Sequence, residues 1–164
     1  MLRGGGIIHN FFKRKEKQNY DAANIIGVQS PANLQYFSEL GLDKKYNLEV
    51  LYNWTTLAGY HTPNGKYRNQ FGLNNKVVFF YGGNIGVAQD MDNIIHLAKA
   101  MRNEPSAYFL LVGEGSEILR LQGVIAAQRL KNVSIHPAVD QQEYMAMLSE
   151  FDVGLISLDR NLKT

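Results

Sequence analysis

The chain has 164 residues, 45% of them hydrophobic, with a formal net charge of +2 and a pI near 8.8. This apolar content is enough for one good-sized core or two small ones, which excludes a disordered or fibrous chain, and such slight basicity gives no argument for nucleic acid. There is no cysteine, so disulfides and cysteine-ligated metals are excluded, and the absence of any apolar run of roughly 18 residues or of a signal-peptide core makes a cytoplasmic location the default expectation.

Met1 to Tyr20 opens with three glycines. It then sets Ile7, Ile8, Phe11 and Phe12 against basic Lys13, Arg14, Lys15 and Lys17, with the apolar side chains on one face of a helix. Two readings stand for this segment. One is a helix lying on an anionic membrane surface. The other, which the residues alone favour, is a helix packed on its own domain with its charges solvated. Asn24 to Gln29 reads as a short buried strand. Ser30-Pro31 is a helix cap with proline at the first helical position, Leu34, Phe37 and Leu40 follow, and Gly41 ends the helix. Leu48 to Tyr52 is a second strand, so helix, strand, helix, strand already gives the pattern of parallel α/β structure.

Residues 53–75 are polar and turn-rich, with Pro63-Asn64-Gly65 a strong turn signal. They read as a linker crossed by one short helix around Lys66 to Phe71. The chain therefore divides into residues 1–52, a linker 53–75, and a second domain 76–164. Trp54, Tyr60 and His61 in the linker are read as partly buried anchors rather than ligand contacts.

From Lys76 the alternation is regular. Val77 to Tyr81 is an uninterrupted apolar run rich in β-branched and aromatic residues, the mark of a strand buried on both faces. Gly82, Gly83 and Gly86 break it, and Met91, Ile94, Ile95, Ala98 and Met101 recur at helical spacing. Strand Tyr108 to Val112 precedes a helix with Ile118, Leu121 and Ile125. Strand Asn132 to Ile135 precedes one with Tyr144, Met147, Leu148 and Phe151, and a last strand spans Val153 to Ser157. This order predicts a Rossmann-like parallel sheet. No internal repeat or low-complexity segment interrupts it.

Two glycine-rich turns at the carboxyl ends of neighbouring strands, Gly82 to Gly86 and Gly113 to Ser116, lie on the edge where open α/β sheets bind ligands, and so predict a phosphate- or sugar-binding crevice. GGNIG is not the dinucleotide fingerprint GxGxxG. Glu114 offers a rival reading as a ribose ligand of NAD, but it follows Gly83 by 31 positions, further than the roughly 20 of that motif. The four histidines His9, His61, His96 and His136 show no metal-ligand spacing, and only His136 is placed at the binding edge. Asp90, Asp92, Asp140 and Asp152 all read as helix-capping or dipole-facing carboxylates.

The strings FFYGGNIGVAQDMDNII, YFLLVGEGSEILRL, NVSIHPAVDQQEYMAML and FDVGLISL, in this order and spacing, resemble the nucleotide-sugar half of retaining GT-B glycosyltransferases of family 4. GNIG followed by Gln89 is similar to bacterial members that build surface polysaccharide, including those that transfer L-fucosamine in O-antigen assembly. The resemblance, over roughly Ala22 to Ser157, implies the end of an acceptor domain followed by the start of a donor domain. It implies that Gly83 and Asn84 lie against the donor diphosphate, that Gly82 and Gln89 also belong to the nucleotide-sugar site, that Gly113 and Glu114 line the nucleotide pocket, and that backbone from Pro137 to Val139 holds the base. Many relatives carry arginine and lysine where this chain has Asn84 and Gln89. The family's paired glutamates lie beyond the last strand read here, which predicts an inactive fragment of a transferase about twice as long, prone to self-association through its cut surfaces. The implied partners are a nucleoside diphosphate sugar, with UDP favoured, and a lipid-linked saccharide acceptor, with no nucleic acid, metal or other cofactor. A lipid-linked acceptor also brings the two readings of Ile7 to Lys17 level and allows peripheral contact with the cytoplasmic membrane. Two other classes remain open: another GT-B enzyme such as a nucleotide-sugar epimerase, or a non-catalytic flavodoxin-like binding module.

Overall fold

The computed structural model describes residues 6–54 and 62–159. The chain divides into two compact units, Met1–Ala58 and Gly59–Thr164.

The first unit runs α1 (Ile7–Ala22), β1 (Ile26–Val28), α2 (Pro31–Glu39) and β2 (Leu48–Val50), with β1 and β2 paired in parallel, Gly27 opposite Glu49. Ser30 caps α2 by accepting the Asn33 N–H at 3.3 Å, and Pro31 follows it. Gly41, at φ +68°, makes the left-handed turn that lets the Leu42 N–H return to the Phe37 carbonyl at 2.9 Å. The last turn of α1 is docked. The Tyr20 ring centroid lies 5.6 Å from those of both Phe37 and Tyr46, and Asp21 takes the Lys45 ammonium and the Tyr46 hydroxyl. The face expected to pack on its own domain does not do so: Ile7, Ile8, Phe11 and Phe12 are each more than half exposed, and α1 buries no residue. Among the described residues no helix is long and apolar enough to cross a membrane. Trp54 is 81% exposed, so it is not the partly buried anchor expected of it. Tyr60 and His61 lie outside the described residues.

The second unit runs α3 (Lys66–Phe71), β3 (Val77–Asn84), α4 (Met91–Ala100), β4 (Ala107–Glu114), α5 (Ile118–Ala127), β5 (Val133–His136), α6 (Gln141–Leu148) and β6 (Val153–Gly154). Its strands form one parallel sheet in the order β5-β4-β3-β6. Side chains alternate across β3 as the pleat requires. Tyr81 joins Phe109, Leu111, Ile94, Ile95 and Leu121 under α4 and α5. Val78 and Phe80 join Leu110, Val112, Tyr67, Leu73 and Met147 on the opposite face, under α3 and α6. Tyr67 and Leu73, inside the segment read as linker, are thus core residues of this unit. β6 pairs over two residues only, shorter than the expected Val153 to Ser157: Leu155 N–H donates the last ladder bond, to the Phe80 carbonyl at 2.8 Å, and beyond it Ile156 and Leu158 are exposed.

One polar knot ties α3 to the sheet. Buried Glu150 accepts the Tyr67 and Arg68 N–H groups at 2.9 and 3.1 Å, capping α3 from 82 and 83 residues away, since Gly65 offers no side chain for the purpose. Arg68 donates to the carbonyls of Glu150, Leu73 and Lys76, and to Asp152 at 2.7 Å. Asp152 is therefore not the helix cap that the sequence suggested. Its carboxylate also accepts the Val78 N–H at 2.7 Å, extending the edge of the β3–β6 pairing. Burial works to raise the Asp152 pKa, but the Val78 N–H and Arg68 outweigh it and hold the group below its ordinary 3.8.

Removing the Glu150 carboxylate strands two N–H groups in the interior, so Glu150→Ala should cost about 2–3 kcal/mol in urea unfolding. Because the folded pKa of Asp152 is the lower one, its contribution is present above pH ~4 and is lost as pH falls through the folded value. The stability difference between wild type and Asp152→Asn should therefore shrink below pH ~4 and stay constant above it.

Candidate nucleotide-sugar cleft

The strand Val77 to Tyr81 does not stop at the glycines. β3 continues through Gly82 and Gly83 to Asn84 and β4 through Gly113 to Glu114, paired residue for residue, Gly83 opposite Gly113 and Asn84 opposite Glu114. The expected turns are therefore strand ends, and α4 begins only at Met91, after a single 3-10 turn from Val87 to Gln89. Asp90 stands at its start with φ +44° and makes no side-chain capping bond, unlike Asp140, whose carboxylate takes the Glu143 N–H at 2.7 Å. Asp92 does sit in the first turn of α4, where it pairs with Arg120 at 2.9 Å.

The glycines are required by close approach of backbone to backbone. A Cβ on Gly113 would fall 1.8 Å from the Gly83 carbonyl oxygen. One on Gly115, at φ +154°, would fall 2.2 Å from the Ile85 carbonyl oxygen. The two strand ends are also latched: Ile85 N–H donates to Glu114 O at 2.7 Å, and Glu117 N–H to Ile85 O at 3.1 Å. Burial, aided by the neighbouring Tyr144, raises the pKa of the Tyr81 phenol, which donates to Asn84 O at 2.7 Å and fixes the strand end from beneath.

Above this floor is an open cleft of about 540 Å³, lined by Gly82, Gly83, Asn84, Gly113 and Glu114, by Val112, and across from them by Ala138, Val139, Gln141 and Tyr144. Of the residues that the sequence singled out, Gly82, Gly83, Asn84, Gly113, Glu114 and Val139 thus meet in one place. Gln89 does not line the cleft; it accepts the Asn84 side-chain amide at 2.9 Å and orients it. Pro137 is exposed at the end of β5 and also stands outside the lining. His136 does not line the cleft; its Nε2 lies 3.1 Å from Ser134 Oγ and its ring centroid 4.6 Å from that of Phe71, and burial lowers its pKa.

Tyr144 went unrecognised because its helical spacing marks it as core. A Cβ on Gly82 would lie 2.1 Å from Tyr144 Cε2, so the absence of a side chain at Gly82 is what admits the ring. The available signal was an aromatic residue with a polar tip in the first turns of the helix that faces the glycine edge. Among the described residues no group of three or more His, Asp or Glu is placed to hold a metal ion.

No family model matches the chain. It is 32% identical over 161 residues to the WcaI protein of Escherichia coli (strain K12), which bears the name of a colanic acid biosynthesis glycosyl transferase; the match takes in 94% of this chain and 38% of that protein. Among solved structures, HepE of Anabaena bound to UDP-glucose superposes with a TM-score of 0.75 at 18% identity, over 91% of this chain and 42% of HepE. TarM of S. aureus, in complex with fondaparinux, α-GlcNAc-glycerol and UDP, gives 0.60 at 18% identity over 86% and 27%. The pneumococcal O-GlcNAc transferase GtfA with UDP and GlcNAc gives 0.60 at 15% over 90% and 28%. The chain spans less than half the length of each.

Replacement at the two glycines separates rigid from yielding contacts. Gly113→Ala meets backbone and should cost about 3 kcal/mol or more, whereas Gly82→Ala meets a side chain that can swing away and should cost about 1–2 kcal/mol. In a double-mutant cycle, Tyr144→Ala should relieve most of the Gly82→Ala penalty and none of the Gly113→Ala penalty. The α/β fold of this chain is that of the Rossmann-like domains of GT-B glycosyltransferases.

Proposed function

We propose that this chain is part of a retaining GT-B glycosyltransferase, of family 4, in which the second unit holds a nucleoside diphosphate sugar. The observation that carries the reading is the cleft at the carboxyl edge of β3 and β4, floored by Gly82, Gly83 and Gly113 and bounded by Glu114 and Val139. Backbone without side chains is what a bulky diphosphate ligand can approach. In this reading Gly83 and Asn84 face the diphosphate, Gln89 orients the Asn84 amide, and Glu114 accepts from ribose hydroxyls. The backbone of Pro137 to Val139 reads the base. The binding of UDP and UDP-glucose by neighbours of the same fold supports UDP as the nucleotide.

The role of these residues is to hold and orient the donor for reaction. An epimerase would need carboxylates placed to move a sugar proton, and Glu114 is the one carboxylate among the described lining residues. For the complete enzyme, the finer reading is transfer of a deoxy- or amino-sugar, such as N-acetyl-L-fucosamine, to a lipid-linked saccharide in surface polysaccharide assembly, as in the O-antigen transferase WbuB. The name of the WcaI relative, a colanic acid biosynthesis glycosyl transferase, favours a polysaccharide role.

Titration with UDP, GDP and NAD, followed by NMR with assigned amides, tests the donor site. UDP should shift Gly82 to Asn84 and Gly113 to Glu114, and NAD should not. Equal shifts with NAD would reverse the assignment.

A lipid-linked acceptor implies work at a membrane, and the exposed Ile7, Ile8, Phe11 and Phe12 beside Lys13, Arg14, Lys15 and Lys17 supply apolar area and positive charge for it. The chain should sediment with vesicles containing anionic lipid, more weakly at high salt. Phe11→Asp with Phe12→Asp should abolish this binding, because charge then replaces the side chains that would enter the lipid.

A further inference from the structure

The charges around the cleft do not match a diphosphate. Among its described lining residues there is no lysine, arginine or histidine, and the one ionisable group apart from the Tyr144 phenol is the exposed Glu114 carboxylate. The Asn84 amide is neutral and already engaged by Gln89. The remaining lining is carbon-rich: Val112, Ala138, Val139 and the ring of Tyr144. That ring is held in place by Gly82 beneath it and by Phe80, whose centroid lies 5.7 Å away.

We infer that this cleft recognises the uncharged nucleoside of its ligand through Tyr144 and the apolar wall around it, and gains almost nothing from the phosphates. The inference rests on the nucleotide-sugar reading above and names which part of that ligand these residues select. Neutral donors and backbone dipoles offset the desolvation of a phosphate only weakly, and the Glu114 carboxylate opposes its charge. A base laid against an aromatic ring and aliphatic neighbours needs no such compensation. Glu114, which repels phosphate, is suited to ribose because a carboxylate can accept from two hydroxyls.

The test is a titration of the full 164-residue chain with uridine, UMP and UDP, each at low and at high salt. The three dissociation constants should agree within about threefold and barely change with salt. Tyr144→Leu, which keeps apolar volume but removes the ring, should weaken uridine and UDP alike by about tenfold, and Tyr144→Phe should bind as wild type does. UDP binding more than about tenfold tighter than uridine, with the gain erased by salt, would overturn the inference and leave the nucleotide-sugar site standing. Unchanged uridine affinity in a folded Tyr144→Leu would remove Tyr144 from the account. Failure of all three ligands to bind the folded wild type would instead overturn the nucleotide-sugar reading itself.

Discussion

Everything at the candidate site depends on one close approach, that of Gly113 to the Gly83 carbonyl across the β3–β4 pair. The 1.8 Å that would separate a Cβ from that oxygen leaves no room for any other residue. With both strand ends bare, the ladder runs to its last residues, Asn84 and Glu114, and the connections that follow are pulled together through Ile85, whose N–H and carbonyl are both committed. The edge is therefore flat and unobstructed as well as rigid. Side chains of ordinary size here would fill the cleft with protein, and a turn without the latch would let the two loops move independently.

The same economy appears at the opposite end of β3. Arg68, Glu150 and Asp152 fasten α3 and the segment after α6 to β3, and α6 is the helix that carries Gln141 and Tyr144 to the cleft. The wall opposite the glycines is thus positioned by a polar knot at the other end of β3. A fault in the knot would reach the cleft through the placement of α6, with no change in any residue that lines it.

Much of this was legible in the sequence. The apolar runs Val77 to Tyr81 and Tyr108 to Val112 announced central strands because burial on both faces removes the need for polar alternation. Six of the eight residues singled out for the site do line one cleft. What could not be read were relations between distant residues. That the glycines continue the strands, and are not turns, depends on partners 30 residues away, Gly83 with Gly113. Asp152 looked like a cap because its local context is a helix end, yet its partners Val78 and Arg68 come from earlier elements. Tyr144 was hidden by a correct helical pattern, since periodicity separates faces of a helix but does not tell a core face from a wall of a site. The exposed face of α1 is the opposite failure: amphipathic spacing identified the face, but not what the face would touch.

The most direct test of the central claim is a crystal structure of the chain soaked with UDP. The account predicts nucleotide density over Gly83 and Gly113, between Glu114 and Val139, with β3 and β4 unmoved and the Ile85 latch intact. Nucleotide found at another surface, or present in this cleft only after β3 and β4 have separated, would contradict it.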